Sequence, residues 1–224
     1  MQNNNLVLFD FCETLIKFQT ADRYIKFCRN HLHSKRMFWW HYLTCALLKV
    51  RFFQGIKIIK KHNNLQKRLV LWQLKGLDRT TCEDLAKKYF EEMLLPNTIS
   101  ETIRLLKKHQ EQGDCIWIIS GGYDLYIRYF VEHFNIDGFI SSKIGFNSNK
   151  CSGKIEGLDC MSDNKILLLE HQFGQALQDK NIYFYTDSSS DLPLLQYVNH
   201  PYIISKHSHQ QWIDKFKFKE IIWT

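Results

Sequence analysis

Three short apolar runs, each followed at once by polar residues, constrain the fold of this chain more than any other feature. The runs LVLF (6–9), CIWII (115–119) and NIYFY (181–185) are typical of buried strands in a parallel sheet. Helical patterns at 100–112 and 164–177 alternate with them. This alternation predicts an α/β fold, a Rossmann-like parallel sheet core flanked by helices.

The polar residues after these runs are candidates for a site. Asp10, Ser120 and Asp187 each stand where one run ends. In open α/β sheets the ligand crevice lies beyond the carboxyl ends of the strands. Each residue alone has a structural explanation, the two Asp residues as turn formers and Ser120 as the start of a helix. Their occurrence together favours a shared site.

The residue types suit phosphoryl chemistry. Two carboxylates form a hard oxygen site for Mg²⁺, and a carboxylate beside that ion can attack phosphorus. A hydroxyl, backbone N–H groups at a glycine turn and a lysine can hold the phosphoryl oxygens. Lys165, which opens a predicted helix, is the best candidate for the lysine, with Lys154 as the alternative.

These residues resemble the motifs of the haloacid dehalogenase (HAD) superfamily, in its phosphoserine-phosphatase-like branch. The D-x-D-x-T motif corresponds to DFCET at 10–14, and the strand ending in Ser or Thr to IISGG at 118–122. The acidic pair corresponds to TDSSSD at 186–191, and GKIEG at 153–157 is similar to a hairpin of this branch. The motifs occur in the family's order, which makes the resemblance specific.

The resemblance implies a role for each matching residue. Asp10 is expected to be the nucleophile and a Mg²⁺ ligand, with Asp187 as the second carboxylate ligand. Asp191 would support the metal or its waters, and the backbone carbonyl of Cys12 would complete the protein ligands. The residues expected to hold the nucleophile and the phosphate are Thr14, Ser120, Gly121, Gly122 and Lys165.

One position departs from the family pattern. The family's second Asp is the general acid and base of its phosphatases, and Cys12 stands at that catalytic position here. General acid–base catalysis contributes about 10²- to 10⁴-fold, and a thiol of ordinary pKa near 8.5 is a poor substitute. The main hypothesis is a Mg²⁺-dependent phosphomonoester hydrolase acting through an aspartyl-phosphate on Asp10. The alternative is a catalytically impaired, phosphate-binding or regulatory protein.

The region between the first strand and the helix near Ser100 has little strand character. It reads as helices at 22–33, 36–53, 65–74 and 80–93. In the resembled branch a helical cap is inserted here and closes over the crevice. The resemblance therefore implies a cap domain at 17–92 and a core domain made of 1–16 and 93–224.

Composition and charge bear on partners and location. The net charge of +7 permits anionic partners, but the basic residues are scattered without a nucleic-acid reading motif, so no nucleic-acid partner is expected. Seven cysteines without a C-x-x-C pair and no secretory signal indicate a cytoplasmic protein. A Cys45–Arg51 match to C-x₅-R lacks the glycines of a phosphate loop. The sequence does not specify an oligomeric state.

The apolar run 37–48 leaves a membrane question open. It is too short for a membrane span, and lysines and arginines follow it from Lys49 onward. A buried cap helix is the favoured interpretation, and a basic amphipathic surface at the inner membrane face is the alternative. Phosphorylated small molecules and lipid-linked phosphates are therefore both retained as substrate classes.

Overall fold

A computed structural model of the chain describes residues 4–33, 37–40, 42–43, 46, 64–216 and 218–224. Within these ranges the strands are β1 (Asn5–Phe9), β2 (Cys115–Tyr123), β3 (Gly138–Asn147), β4 (Lys150–Glu156), β5 (Asn181–Thr186), β6 (His200–Lys206) and β7 (Lys219–Trp223). The α-helices are α1 (Thr20–Leu32), α2 (Asn64–Leu71), α3 (Arg79–Tyr89), α4 (Ser100–Glu111), α5 (Asp124–His133), α6 (Asn164–Phe173) and α7 (Leu192–Tyr197).

The strands form one sheet in the order β4-β3-β2-β1-β5-β6-β7. All neighbouring strands are parallel except β3 and β4, which form an antiparallel hairpin. Phe9 at the end of β1 pairs with Ile118 of β2 on one side and Tyr185 of β5 on the other. The three predicted strands are therefore adjacent, and the predicted α/β class is confirmed.

Both faces of the sheet are covered. Side chains alternate along β1, so that Val7 and Phe9 join one hydrophobic cluster while Leu6 and Leu8 join the other. All four side chains are fully buried. A strand buried on both faces reads as a continuous apolar run, which is why β1 could be recognised from sequence.

Several boundaries differ from the sequence expectation. Strand β2 continues through Gly121 and Gly122 to Tyr123 instead of ending at residue 119. Helix α6 ends at Phe173 because Gly174 adopts a φ of +53°, and a 3₁₀ turn carries the chain on to Leu177.

Residues 17–92, called the helical segment below, lie between β1 and α4. Helix α1 begins two residues before the predicted start, and α2 continues as a 3₁₀ turn through residues 72–74. Helix α3 is followed by a π-turn at Phe90–Leu94. The predicted helix at 36–53 lies largely outside the described residues. None of the helices that the structure describes is long and apolar enough to cross a membrane.

The two-sided burial of β1 predicts a large cost for truncating it. Leu8→Ala removes a fully buried side chain from the central strand, so we expect a loss of about 2–5 kcal/mol in the free energy of unfolding. The matched control is Leu167→Ala on α6, where the side chain is 53% exposed and the cost should stay within about 0.5 kcal/mol. Urea denaturation of both variants gives the comparison, and equal losses would contradict the two-sided core.

Candidate active site

A cleft of about 270 Å³ lies at the carboxyl ends of β1, β2 and β5. Parallel strands bring their carboxyl ends to one edge of the sheet, so residues distant in sequence meet here. The cleft is lined by Asp10, Cys12, Gln19, Ala21, Asp22, Lys67, Ser120, Gly121, Gly122, Cys160, Met161, Lys165, Asp187, Ser188, Ser190 and Asp191. Of the sequence-predicted site residues, all line the cleft except Thr14, which lies behind Asp187.

A buried lysine occupies the centre of this site. Lys165, near the start of α6, places Nζ 3.3 Å from Oδ1 of Asp10 and 2.6 Å from Oδ2 of Asp191. All three side chains are buried. Burial alone would lower the pKa of Lys165, but the two carboxylates outweigh it and raise the pKa above its ordinary value. Lys165 therefore stays charged at any physiological pH.

Threonine side chains hold two carboxyl groups of the site, those of Asp191 and Asp187. Thr186 donates from Oγ1 to Oδ2 of Asp191 over 2.7 Å. The Thr14 hydroxyl donates to Oδ1 of Asp187 over 3.2 Å and accepts from the Asp187 backbone N–H at 3.0 Å. Thr14 thus fixes the loop after β5 to the loop after β1, which accounts for its place in the motif.

The carboxylates that crowd this cleft raise one another's pKa. Burial, and then the negative charge of Asp10, raise the pKa of Asp187 to about 8. Burial also raises the pKa of Asp10, although the nearby Lys165 opposes the shift. The cleft without a metal ion therefore favours the protonated form of Asp187 at neutral pH.

The end of β2 supplies a hydroxyl and two glycines. The Gly122 N–H donates to Oγ of Ser120 over 3.2 Å, and the nearby Ser120 hydroxyl lowers the pKa of Asp10, which favours the ionised carboxylate. A Cβ at Gly121 would lie 2.8 Å from Cγ of Met161, and one at Gly122 would lie 2.9 Å from atoms of α5. Any larger residue at either position would require these neighbouring side chains to shift, so glycine fits the present packing.

The Cys12 thiol points into a hydrogen-bonded corner next to the cleft. The Thr20 N–H donates to its Sγ over 3.4 Å, and Sγ lies 3.1 Å from the Thr20 hydroxyl, which is 2.7 Å from the Tyr126 hydroxyl. Burial, and then the charge of Asp10, raise the pKa of Cys12 to about 12. Cys12 is therefore a neutral thiol. Glu13 is engaged instead by the Gln19 side chain, which donates over 2.6 Å.

The sequence did not single out Lys67, a second buried cation in the cleft wall. It extends from α2 and forms a 2.5 Å ion pair with Asp159. Its position in a helical pattern is typical of a solvated lysine, but it precedes the buried Leu71 and Leu74 by four and seven residues, on the same helix face. That spacing is the sequence signal that could have indicated that Lys67 is buried. Lys154, the alternative to Lys165, is exposed on β4.

The donor set fits Mg²⁺. Asp10 and Asp187 offer carboxyl oxygens to the same cleft, and their raised pKa values mean that a bound divalent cation would favour the ionised form of both. Within the described residues, no three His, Cys, Asp or Glu side chains are grouped as a preformed metal site. Mg²⁺ commonly binds through one or two carboxylates and takes its other ligands from water and substrate phosphate. The cleft suits an ion held in that way.

The sequence pattern of the haloacid dehalogenase-like hydrolases matches residues 7–196 of the 224 in this chain. The match spans most of the chain and includes every motif residue that lines the cleft. The chain therefore belongs to the haloacid dehalogenase-like hydrolase family, as its motifs predicted.

The chain is also similar to one curated protein in sequence and to solved structures in fold. A histidinol-phosphatase of Neisseria meningitidis serogroup C (strain 8013) is 28% identical over 142 residues, which are 60% of this chain and 64% of that protein. A protein of unknown function from Bordetella pertussis Tohama I superimposes with a TM-score of 0.81 at 18% identity, covering 98% of both chains. A phospho-aspartyl intermediate analogue of phosphoserine phosphatase superimposes with a TM-score of 0.64 at 18% identity, covering 98% of this chain and 93% of that one.

The raised pKa of Asp187 predicts a pH dependence of stability. The folded chain holds a proton on Asp187 up to a pKa of about 8, whereas the unfolded chain releases it near the ordinary value of about 3.9. Without added metal ion, the free energy of unfolding should therefore fall between about pH 5 and pH 8, by at most about 1.4 kcal/mol per pH unit from this group. Denaturant titrations across this range measure the slope.

The matched control for this slope is an aspartate outside the cleft. Asp187→Asn should remove its component of the slope, and Asp163→Asn should leave the slope unchanged because that side chain is exposed. A native slope that persists in Asp187→Asn would assign the pH dependence to other groups.

Proposed function

We propose that this chain is a Mg²⁺-dependent phosphomonoester hydrolase that acts through an aspartyl-phosphate on Asp10. The observation that carries the proposal is the setting of Asp10, which is buried at the end of β1 with the Lys165 ammonium 3.3 Å from its Oδ1. The relatives named for histidinol phosphate and phosphoserine support a small phosphorylated molecule as the substrate. The phospho-aspartyl analogue of one such relative supports the covalent route.

The reaction divides into two displacements. An Asp10 carboxylate oxygen attacks phosphorus, and the bond from phosphorus to the substrate oxygen breaks as that oxygen leaves. Water then attacks the phosphorus of the aspartyl-phosphate, which releases inorganic phosphate and regenerates Asp10. When bound by Asp10, Asp187 and the Cys12 carbonyl, Mg²⁺ would neutralise charge on the phosphoryl oxygens.

The remaining residues position the reactants. Lys165 keeps its charge and lies beside the nucleophile, so it can hold a phosphoryl oxygen while Asp191 fixes its ammonium. The Ser120 hydroxyl and the Gly121 backbone N–H, at the end of β2 in the same cleft, can supply further hydrogen bonds to the phosphoryl oxygens. Thr14 keeps Asp187 in place through two hydrogen bonds.

Cys12 restricts the leaving groups that the proposed enzyme can accept. Its thiol is neutral, but with a pKa of about 12 it is a weaker acid than a carboxylic acid and protonates a departing alkoxide poorly. Substrates whose leaving oxygen is already stabilised, such as aryl phosphates, need little of this help. The proposal therefore favours a good leaving group over an ordinary alkyl phosphate.

Restoring a carboxyl group at position 12 tests this argument. We expect Cys12→Asp to raise kcat for alkyl phosphates by about 10²- to 10⁴-fold and to change kcat for p-nitrophenyl phosphate much less. Cys12→Ser is the matched control, because a hydroxyl of similar size adds no stronger acid. Initial rates of phosphate release over a panel of aryl, sugar, amino-alcohol and lipid-headgroup phosphates give the ratio, and equal gains for both leaving groups would contradict it.

The same assay separates the proposal from its alternative, a protein that binds phosphate without turning it over. Native turnover should require Mg²⁺ and disappear in Asp10→Asn, which keeps the size of the side chain but removes the nucleophile. Turnover that appears only in Cys12→Asp, combined with binding of orthovanadate by the native chain, would favour the alternative.

We propose that the helical segment, residues 17–92, acts as a cap over a core made of 1–16 and 93–224. The support is that Gln19, Ala21, Asp22 and Lys67 of this segment line the same cleft as the motif residues. A segment in that position can close the cleft against water and select among substrates.

A peripheral membrane contact of the cap is tested separately. Its support is that Phe38, Trp39 and Tyr42 are 42%, 76% and 70% exposed, in a stretch followed by lysines and arginines. Co-sedimentation with vesicles containing anionic lipid should fall when salt is raised and in Trp39→Ser. Leu167→Ser, which removes an exposed apolar side chain from α6, is the control. Sedimentation that is insensitive to both changes would count against this surface.

A further inference from the structure

The ammonium of Lys67 has three acceptors, all of them in the core. Nζ lies 2.5 Å from the Gly121 carbonyl oxygen, 2.9 Å from Oγ of Ser142 and 2.5 Å from Oδ1 of Asp159. Gly121 belongs to β2, Ser142 to β3, and Asp159 to the loop between β4 and α6. One side chain of α2 thus connects the helical segment to three separate parts of the core.

These contacts leave Lys67 unsuited to binding the substrate directly. An ammonium group has three N–H donors, and the three acceptors use all of them. Its charge is neutralised by Asp159 within a buried pair. A substrate anion would have to displace one of these partners and leave it buried without a hydrogen bond, which is costly.

The contact with Gly121 bears on the orientation of the next peptide, and Lys67 is the closer of two donors to this carbonyl, at 2.5 Å against 3.3 Å for the Ser142 hydroxyl. In a planar trans peptide the C=O and the following N–H point in opposite directions. With the Gly121 carbonyl directed at Lys67, the Gly122 N–H is directed at Oγ of Ser120, where it donates over 3.2 Å. Glycine has little conformational preference of its own, so consecutive glycines depend on outside contacts to hold one orientation.

The hydrogen bonds from Lys67 lead to a residue beside the nucleophile. Two observed bonds connect Lys67 through the Gly121–Gly122 peptide to Ser120. Ser120 and Asp10 line the same cleft, so the position of the Ser120 hydroxyl bears directly on the surroundings of Asp10.

We propose that Lys67 is a positioning residue that fixes the Gly121–Gly122 peptide, and through it Ser120, when α2 packs against the core. This role rests on the proposed function and deepens it, because it couples the position of the cap to the shape of the phosphate site. The competing interpretation is a buried ion pair that only stabilises the fold.

A double-mutant cycle separates the two roles. The variants are Lys67→Met, Asp159→Asn and the double variant, with Lys67→Arg as the conservative change and Arg68→Met, on the exposed face of the same helix, as the control. The measurements are kcat and KM for p-nitrophenyl phosphate with Mg²⁺, and the thermal midpoint.

Lys67→Met should lower kcat by up to about 10²-fold, the loss that a misplacement of about 1 Å can cause, with a smaller change in KM. Asp159→Asn keeps the contact of Lys67 with Gly121, so its loss of kcat should be smaller. The double variant removes both buried charges and should recover the thermal midpoint relative to Lys67→Met without recovering kcat. Lys67→Arg should retain part of kcat, and Arg68→Met should change neither quantity. Recovery of kcat together with the midpoint in the double variant would overturn the positioning role.

Hydrogen exchange tests the inference independently of turnover. Lys67→Met should speed amide exchange in peptides that contain residues 120–123, whereas Arg68→Met should not. Unchanged exchange there overturns the inference even if the native chain is active. Faster exchange in a chain that shows no turnover supports the positioning of the peptide and counts against the proposed function instead.

Discussion

The buried contact of Lys165 with two carboxylates is the interaction on which the rest of the site depends. Lys165 places one cation within ion-pair distance of two buried carboxyl groups, Asp10 and Asp191, which would be costly to bury without it. Lys165 is equally dependent on them, because their charges keep its pKa raised despite burial. The three residues come from the end of β1, from α6 and from the turn after β5. The contacts of Lys165 with the two carboxyl groups therefore also link these three parts of the core.

A second buried ion pair, between Lys67 and Asp159, lies in the wall of the same cleft and differs in kind. The first pair joins parts of the α/β core, whereas the second joins α2 to the core. A buried pair contributes little net stability compared with apolar packing, but it is costly to break, so it favours one arrangement over its alternatives. Such a pair suits the cap role proposed for the helical segment, which requires one defined position over the cleft.

Cys12 is the one position at which the site departs from the motif pattern of the family. The carboxylates, the lysine and the glycine-rich end of β2 are all in place around the cleft. The Cys12 thiol is partly buried, and Thr20 fixes it within a hydrogen-bonded corner that includes Tyr126. Cys12 thus fits the local packing without disturbing the fold. Under the proposed function, its effect is to limit which leaving groups the site accepts.

The limits of sequence-based prediction follow from what each element contacts. Strands β1, β2 and β5 could be predicted because they are buried on both faces and end at polar residues. Strands β6 and β7, nearer the edge of the sheet, carry mixed residues such as His200, Lys206 and Lys219, and their strand character depends on pairing with neighbours. Lys67 was missed because its acceptors come from three distant parts of the chain.

The sequence by itself determined the class of fold, the family and the residues that follow the central strands, because apolar runs and motif spacing are local properties. Only the tertiary structure decided which groups interact with one another through charge or through a hydrogen bond. It set the pKa of Cys12 and Asp187 through burial and neighbouring charge, and it directed Lys67 to Gly121. Electrostatic interactions depend on distance and solvent exposure, and neither quantity exists until the chain has folded.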